Sequence, residues 1–249
     1  MKKVLFFFSL VMMLVACGSD DNKSVIDEPD KPDPIQPENK YPTELVGTWE
    51  FYSGNPVAML SSIGENDILN HTFVFVANGN LNEAIVYTDA NKHGKAVSAN
   101  GNWFVENKQL KFTNWQGNAI GGNNSFKINA DSSLTLTIDG KSALYYKQNE
   151  IKKKYPELIV GSWNNMIESA GRRRMSFYNT GRGQSQTYYI NGMFMGGEPF
   201  SWFYSDNVIS VDHDNISKPT GHHEYVVNYI NTKSISWTYK NEAVHYVRE

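Results

Sequence analysis

The sequence has a single cysteine, no apolar stretch longer than twelve residues and no excess of positive charge. One cysteine, Cys17, excludes an internal disulfide, so the fold must be stabilised by packing alone. The apolar stretch, residues 4–15, would rise about 18 Å as a helix, which is short of the roughly 30 Å of a bilayer. Residues 45–249 carry 18 acidic and 18 basic side chains. That balance lacks the concentrated basic surface that nucleic-acid binding requires, so we expect no nucleic-acid partner.

The signatures of several enzyme classes are also missing. The sequence has no nucleophile elbow, no phosphate-binding loop and no pair of carboxylates marked out by its pattern. Strands do not alternate with helices, which argues against the parallel sheet of nucleotide-binding domains. We therefore expect a protein that is not an enzyme and that uses no cofactor and no metal.

The first sixteen residues have the layout of a secretory signal peptide. Lys2 and Lys3 form a charged region, residues 4–15 form an apolar region, and Ala16 is a small residue at the cleavage position. Residues 14–17, Leu-Val-Ala-Cys, resemble the lipobox of bacterial lipoproteins, in which cleavage leaves the cysteine as an acylated first residue. The resemblance implies a signal peptide over residues 1–16 and a membrane anchor at Cys17 that carries palmitate or a similar chain.

An acidic and proline-rich segment follows Cys17. Residues 18–21, Gly-Ser-Asp-Asp, are similar to the export tag of Bacteroides-type lipoproteins. That similarity implies the outer membrane and exposure at the cell surface, with its periplasmic face as the alternative. Five of the nine prolines lie within residues 22–43, with few apolar side chains between them. This composition cannot bury enough surface to fold, so residues 17–43 are predicted to be a disordered tether.

The same residue pattern occurs twice after the tether. Gly47-x-Trp49 is echoed by Gly161-x-Trp163. Further pairs keep the same order: Phe75 and Gly79 with Phe177 and Gly181, Trp103 with Trp202, and Ala143-x-x-Tyr146 with Ala243-x-x-Tyr246. Pairs in preserved order indicate a duplication, so we predict one domain over residues 44–149 and a second over 157–249. Residues 57–69 are predicted to contain a helix, and the lysine run 152–154 is predicted to be a solvated connector.

Each copy has the pattern of short β-strands. Residues 134–138 and 235–239 alternate apolar and polar side chains, which places one set inward and the other in water. Turn sequences recur between such runs, and the high aromatic content of 13% also favours strands. Closing a sheet of about eight strands removes its unpaired edges. We therefore predict an all-β protein with two tandem eight-stranded antiparallel meander barrels.

A Gly-x-Trp on the first strand of an eight-stranded meander resembles the lipocalins and related calycin barrels. The tandem arrangement behind a lipobox is similar to lipocalin-like lipoproteins of Bacteroides-type bacteria. In that family the tryptophan packs at the closed end of the barrel and a basic residue of the last strand commonly lies over it. The resemblance implies this structural role for Gly47 and Trp49, for Gly161 and Trp163, and for Arg248. The first copy departs from the pattern, because Lys147 and Gln148 stand in the stretch equivalent to Arg248.

Loops that differ between the two copies are the better candidates for a binding site, because a shared fold does not require the difference. The first copy has Asn114-Trp115-Gln116, in which a tryptophan between two amides suits stacking on a sugar ring. The second copy has His213 and His222 in the corresponding region. These histidines match no zinc-binding spacing, so they are predicted to bind a ligand and not a metal.

The predicted function is non-catalytic binding of a small or extended ligand, either a glycan fragment or an apolar molecule, by an outer-membrane lipoprotein. A structural or assembly role, in which filled barrels present an outer surface to a partner protein, is the first alternative. A hydrolase with an unrecognised site is the second, because active sites are defined by geometry more than by spacing.

Overall fold

The computed structural model describes residues 40–58, 63–64, 67–89, 94–114, 116–167, 171–214 and 221–249. The predicted signal peptide, the predicted acylation site Cys17, most of the predicted tether and Trp115 lie outside these residues. No helix in the described part of the chain is both long and apolar enough to cross a membrane.

The first sheet is antiparallel and has nine strands. They are β1 Gly47–Gly54, β2 Ile68–Phe75, β3 Asn80–Thr88, β4 Gly94–Glu106, β5 Gln109–Asn114, β6 Ala119–Ile120, β7 Asn124–Ile128, β8 Leu134–Ile138 and β9 Lys141–Lys147. Strand β1 pairs with both β2 and β9, and β6 and β7 form the two edges of the sheet. The sheet curls until β5 and β7 contact each other, and it wraps around an aromatic core.

One helix, α1 Gln148–Ile159, leads into the second sheet. The second sheet is a closed barrel of eight strands. They are β10 Gly161–Ile167, β11 Gly171–Phe177, β12 Arg182–Tyr188, β13 Phe194–Ser205, β14 Val208–His213, β15 His222–Ile230, β16 Ser234–Tyr239 and β17 Glu242–Arg248. Each strand pairs with the next along the chain, and β17 pairs back with β10 to close the barrel.

The all-β class and the antiparallel meander are confirmed, with differences in detail. The second copy is a closed eight-stranded barrel as predicted, whereas the first copy is a curled sheet of nine strands. Residues 148–159 form a helix and not a simple connector, because Ile151, Tyr155, Leu158 and Ile159 bury one face of it. The helix predicted within residues 57–69 is wrong where the structure describes that segment. Residues 57–58 have no regular structure, and Ile68 begins β2.

The correspondence between the two sheets extends to individual hydrogen bonds. The backbone nitrogen of Trp103 donates to Gly79 O at 2.9 Å, and that of Trp202 donates to Gly181 O at 2.8 Å. The two glycines have φ angles of 88° and 75°, a region that side chains other than glycine rarely adopt. Trp103 is fully buried, whereas Trp202 is only half-buried. Trp103 therefore belongs to the core of the first sheet, whereas Trp202 packs against the core of the second barrel and is only partly covered.

The match between the last strands is shifted by one residue from the sequence prediction. Lys147 pairs opposite Trp49, and Arg248 pairs opposite Trp163. Tyr145 is therefore the counterpart of Tyr246, and the pairing of Ala143-x-x-Tyr146 with Ala243-x-x-Tyr246 is out of register. A one-residue shift in a strand exchanges its two faces. Tyr145, and not Tyr146, therefore points into the core of the first sheet.

The two sheets contact each other through the turn between β15 and β16. Asn231 Nδ2 donates to Leu69 O at 2.9 Å, and Thr232 N donates to Tyr52 O at 2.9 Å. Asn231 is fully buried, and its Oδ1 also accepts hydrogen bonds from the backbone nitrogens of Lys233 and Ser234. One asparagine therefore shapes the turn and joins it to the first sheet.

Candidate functional site

One end of each sheet is sealed by the repeated tryptophan. Trp49 Nε1 donates to Leu45 O at 2.7 Å, and Trp163 Nε1 donates to Ile159 O at 2.8 Å. Both indoles are buried. Gly161, two residues before Trp163, has a φ of 142°, and a side chain there would also meet the Arg248 guanidinium. We call this the closed end, and any ligand must enter from the opposite, open end.

A basic side chain covers each of these tryptophans. The Arg248 guanidinium lies 4.3 Å from the Trp163 ring centroid and also donates to Leu158 O at 2.6 Å and Val160 O at 3.2 Å. Lys147 Nζ lies 5.3 Å from the Trp49 ring centroid. The sequence indicated that the first copy lacks a basic residue over its tryptophan, and the structure shows that it has one. A lysine takes the place of the arginine, with a longer contact to the ring.

The open half of the second barrel is lined by polar side chains. Side chains alternate along a strand, so residues two positions from a buried core residue share its inward face. Inward Val211, for example, is followed by inward His213, and inward Met175 is preceded by inward Arg173. Eight side chains of this kind form what we call the cup: Asn165, Arg173, Ser185, Glu198, His213, His223, Tyr225 and Tyr239.

The floor of the cup is apolar and buried. Phe177, Phe200 and Trp237 pack there with ring centroids 5.3 to 6.3 Å apart. Tyr225 joins the floor to the cup, because its ring lies 5.4 Å from Trp237 and 5.1 Å from Tyr239. Asn165, Arg173, His223 and Tyr239 are half-buried although they face inward, which indicates that solvent reaches part of the open end, whereas Ser185 and Tyr225 are buried.

Two histidines stand together in the cup. The rings of His213 and His223 have centroids 5.2 Å apart, and His223 Nδ1 lies 2.8 Å from the Tyr239 hydroxyl. Burial and then the charge of neighbouring bases, His213 first, lower the pKa of His223, which favours its neutral form near pH 7. His213 Nδ1 is 3.3 Å from a Glu198 carboxylate oxygen but not in hydrogen-bonding geometry. The side chain of His213 is only 7% exposed, so this nitrogen is a buried polar atom without a hydrogen bond.

Arg173 is the strongest cation of the cup. Its Nε donates to Ser185 Oγ at 3.3 Å. Within the described ranges, no carboxylate oxygen lies within 4.0 Å of its guanidinium nitrogens. Burial raises the pKa of the nearby Tyr225 hydroxyl, and Arg173 opposes that rise. The cup thus offers a positive charge that no protein carboxylate in the described residues neutralises at short range.

The corresponding interior of the first sheet is closed. His71 Nε2 donates to Glu83 Oε1 at 2.8 Å, and the Tyr145 hydroxyl lies 3.0 Å from His71 Nδ1. The exposed fraction is 0% for His71 and Glu83 and 1% for Tyr145. Burial, and then the charge of Glu83, raise the pKa of Tyr145 well above its ordinary range. These three side chains bind one another and leave no solvent-accessible groups for a ligand.

An apolar hairpin stands at the rim of the cup. The β12–β13 turn carries large exposed side chains on the same end of the barrel as the cup: Tyr189, Ile190, Met193, Phe194 and Met195. Isolated exposed apolar residues are ordinary, but five around one turn form a patch of the kind that marks an interaction site.

The residues predicted from sequence fall into three groups. His213 lies in the cup, whereas the adjacent His222 points outward, with Nδ1 2.9 Å from Asp212. Asn114 is only half-buried and shapes its own loop, because its Oδ1 accepts hydrogen bonds from Gln116 N and from Asn118 N. Gln116 is exposed, and Trp115 lies outside the described residues. The structure does not bring the first-copy residues to the cup.

Sequence reasoning did not identify Arg173, Glu198, Tyr225 or Tyr239 as residues of the site. The alternation of side chains along a strand could have identified these residues. Each of them lies two positions from an apolar residue that the pattern places inward. Among the described residues, no group of three or more histidine, cysteine, aspartate or glutamate side chains is arranged to hold a metal ion.

No protein-family model and no curated protein matches this chain. One solved structure, a lipocalin-like protein from Bacteroides uniformis, is similar to it at 11% sequence identity and a TM-score of 0.29. The similar region covers 36% of this chain and 98% of that chain. At this similarity no function is transferred, and the description of the fold rests on the strand pairing given above.

Proposed function

We propose that this protein binds a small hydroxylated ligand, such as the end of a glycan chain, in the cup of the second barrel, without catalysing a reaction. The observation that supports the proposal is the cup itself: polar side chains that face inward yet remain reachable by solvent, above a buried aromatic floor. Binding sites of this kind combine an apolar lining with a few polar groups that fix the orientation of the ligand.

A hydroxylated ligand fits the cup better than an apolar one. The His213 and His223 imidazoles, the Tyr239 hydroxyl and the Glu198 carboxylate together offer both donors and acceptors. An apolar molecule would remove these groups from water without replacing their hydrogen bonds, which is unfavourable by about 1–3 kcal/mol for each group. Of the two ligand classes named from the sequence, the glycan fragment is therefore retained.

The cup is not arranged for the hydrolysis of a bound glycan. Such hydrolysis ordinarily uses two carboxyl groups on either side of the bond that breaks, and Glu198 is the one carboxylate among the eight residues of the cup. In the described residues, no serine, threonine or cysteine side chain hydrogen-bonds to His213 or His223, which leaves both histidines without a nucleophile to activate.

Membrane attachment is part of the proposal and comes from the sequence. Acylation of Cys17 behind a lipobox-like segment would fix the protein to the outer membrane, and residues 17–43 would hold the two sheets away from it. The acidic residues after Cys17 favour the cell-surface face over the periplasmic one. Metabolic labelling with a palmitate analogue tests the anchor, and Cys17→Ser should abolish the label.

Binding can be tested with the adjacent histidines of β15, which form a matched pair. The full-length protein is titrated by calorimetry with neutral and acidic oligosaccharides and with fatty acids. We expect an oligosaccharide to bind, His223→Ala to weaken binding, and His222→Ala to leave it unchanged, because only His223 faces the cup. Binding of fatty acids alone, or equal losses from the two variants, would contradict the proposal.

The exposed hairpin supports a second candidate function, contact with a partner protein. Ile190 is 75% exposed and Met193 is 62% exposed, and both belong to a rim that a partner could cover. In that case Ile190→Ser with Met193→Ser should abolish capture of the partner from the native membrane and leave oligosaccharide titrations unchanged. Loss of oligosaccharide binding in this variant would instead assign the hairpin to the cup.

A further inference from the structure

The charges inside the two sheets can be compared position by position. Phe75 pairs with Leu81 in the first sheet, and Phe177 pairs with Gly183 in the second barrel. Counting back four residues from each phenylalanine gives His71 and Arg173. Counting forward two residues from Leu81 and Gly183 gives Glu83 and Ser185. A base therefore occupies the same inward position in both copies.

The partner of that base differs between the copies. His71 donates to the Glu83 carboxylate, whereas Arg173 donates to the Ser185 hydroxyl. The second barrel therefore has a permanent cation, Arg173, at the position of His71, and a neutral hydroxyl stands where the first sheet has the carboxylate. A cation inside a barrel is unfavourable unless an anion or several hydrogen-bond acceptors surround it.

The other side chains of the cup indicate which chemical groups the ligand has. Besides burial, the charges of His213, Lys240 and Arg173 lower the pKa of His223, so these bases lie close enough together to make this part of the cup positive. Glu198 is the one carboxylate of the cup, and it lies beside His213. An anionic group suits Arg173, and a hydroxyl that donates to Glu198 suits the neighbouring side of the cup, because Glu198 pairs across from Ser185.

We propose that the ligand of the cup is an acidic sugar unit, whose carboxylate takes at Arg173 the place that Glu83 takes at His71 in the first sheet. The proposal rests on the proposed function and specifies its ligand. An arginine guanidinium donates two parallel hydrogen bonds to a carboxylate, which gives orientation as well as affinity. The ring hydroxyls then lie towards Glu198, His213 and His223.

The test compares trigalacturonic acid with galactotriose, a neutral trimer of the same size, in calorimetric titrations of the full-length protein. We expect the acidic trimer to bind at least about tenfold more tightly, the range of a charge-assisted hydrogen bond. Arg173→Gln should remove this preference. Arg172→Gln is the matched control, because Arg172 is exposed and packs on Tyr188 from the outer face.

A second variant tests the comparison between the copies directly. Ser185→Glu places in the second barrel the carboxylate that Glu83 provides in the first. We expect it to retain the fold, monitored by circular dichroism, and to lose the preference for the acidic trimer because Arg173 gains an internal partner.

The outcomes separate the two proposals. Equal affinity for the two trimers, or a preference that survives Arg173→Gln, would overturn the acidic ligand and leave saccharide binding standing. Binding of neither trimer, together with no response to the other oligosaccharides of the panel, would overturn both.

Discussion

The Tyr155 hydroxyl donates to Glu50 Oε1 at 3.3 Å, so that helix α1 is joined to the first sheet by a buried carboxylate. Glu50 is 5% exposed. Burial raises the pKa of Glu50 to about 7, and the hydrogen bond from Tyr155 only partly opposes that rise. The Glu50 carboxyl group therefore titrates near neutral pH, and it lies between helix α1 and the first sheet.

Stability should fall as pH rises through the titration of Glu50. Because the pKa of about 7 in the folded state lies above the ordinary glutamate value of 4.5, the folded protein binds more protons than the unfolded chain between these values. The stabilisation by the protonated form is complete below about pH 4.5 and is lost as pH rises through about 7. Glu50→Gln should remove this slope and stabilise the protein at pH 8, on the order of 3 kcal/mol from the size of the shift.

Urea denaturation of the native protein and of Glu50→Gln at pH 5 and pH 8 measures this difference. Glu44→Gln is the control, because Glu44 is exposed and close in sequence. An equal gain from both variants at pH 8 would contradict the role of Glu50.

Removal of Glu83 should destabilise the first sheet strongly. Glu83→Ala leaves His71 buried at 0% exposure without its carboxylate partner, and a buried polar group that loses its partner costs about 1–3 kcal/mol, with more for charged groups. Ser185→Ala, at the matching position of the second barrel, removes only a hydroxyl and should cost about 1 kcal/mol. Thermal and urea unfolding of the two variants compares these costs, and similar values would show that the His71–Glu83 contact contributes little.

The basic residues at the closed ends should not be equivalent. Arg248 contacts the Trp163 ring and donates to two backbone carbonyls, whereas Lys147 Nζ lies at 5.3 Å from the Trp49 ring centroid. We expect Arg248→Met to cost about 2–3 kcal/mol and Lys147→Met to cost less than about 1 kcal/mol. Urea midpoints of the two variants measure the difference, and the reverse order would overturn the comparison.

Asn231 should be essential for contact between the two sheets. Asn231→Ala removes the hydrogen bond to Leu69 O and the two that hold the β15–β16 turn, and two of these three bonds are buried. We expect it to cost at least about 2 kcal/mol and to separate the unfolding of the sheets into two calorimetric transitions. Asn228→Ala, at an exposed residue of the preceding strand β15, removes one part-buried and one exposed hydrogen bond and should change stability by less than about 0.5 kcal/mol. A single unchanged transition in Asn231→Ala would contradict the prediction.

Most of the fold could be predicted from the alternation of apolar and polar side chains along the strands and from the turn sequences between them. The turns at Asn107-Lys108 and Asp206-Asn207 have positive φ at both residues, as two-residue hairpin loops require. Helix α1 was missed because Pro156 and the lysine run conceal the spacing of its buried face. The cup was missed because its residues come from seven strands, and only the closure of the barrel brings them together.

The contact of Arg248 with the end of helix α1 has a consequence for the order of folding. The last carbonyls of a helix have no partners within it, and here the guanidinium of the final strand satisfies two carbonyls at this end, those of Leu158 and Val160. The same strand supplies the partner of β10. Before β17 has been synthesised, the carbonyls at the end of helix α1 therefore lack the hydrogen bonds from Arg248, and β10 lacks its partner strand. We expect the second barrel to remain open until β17 has been synthesised.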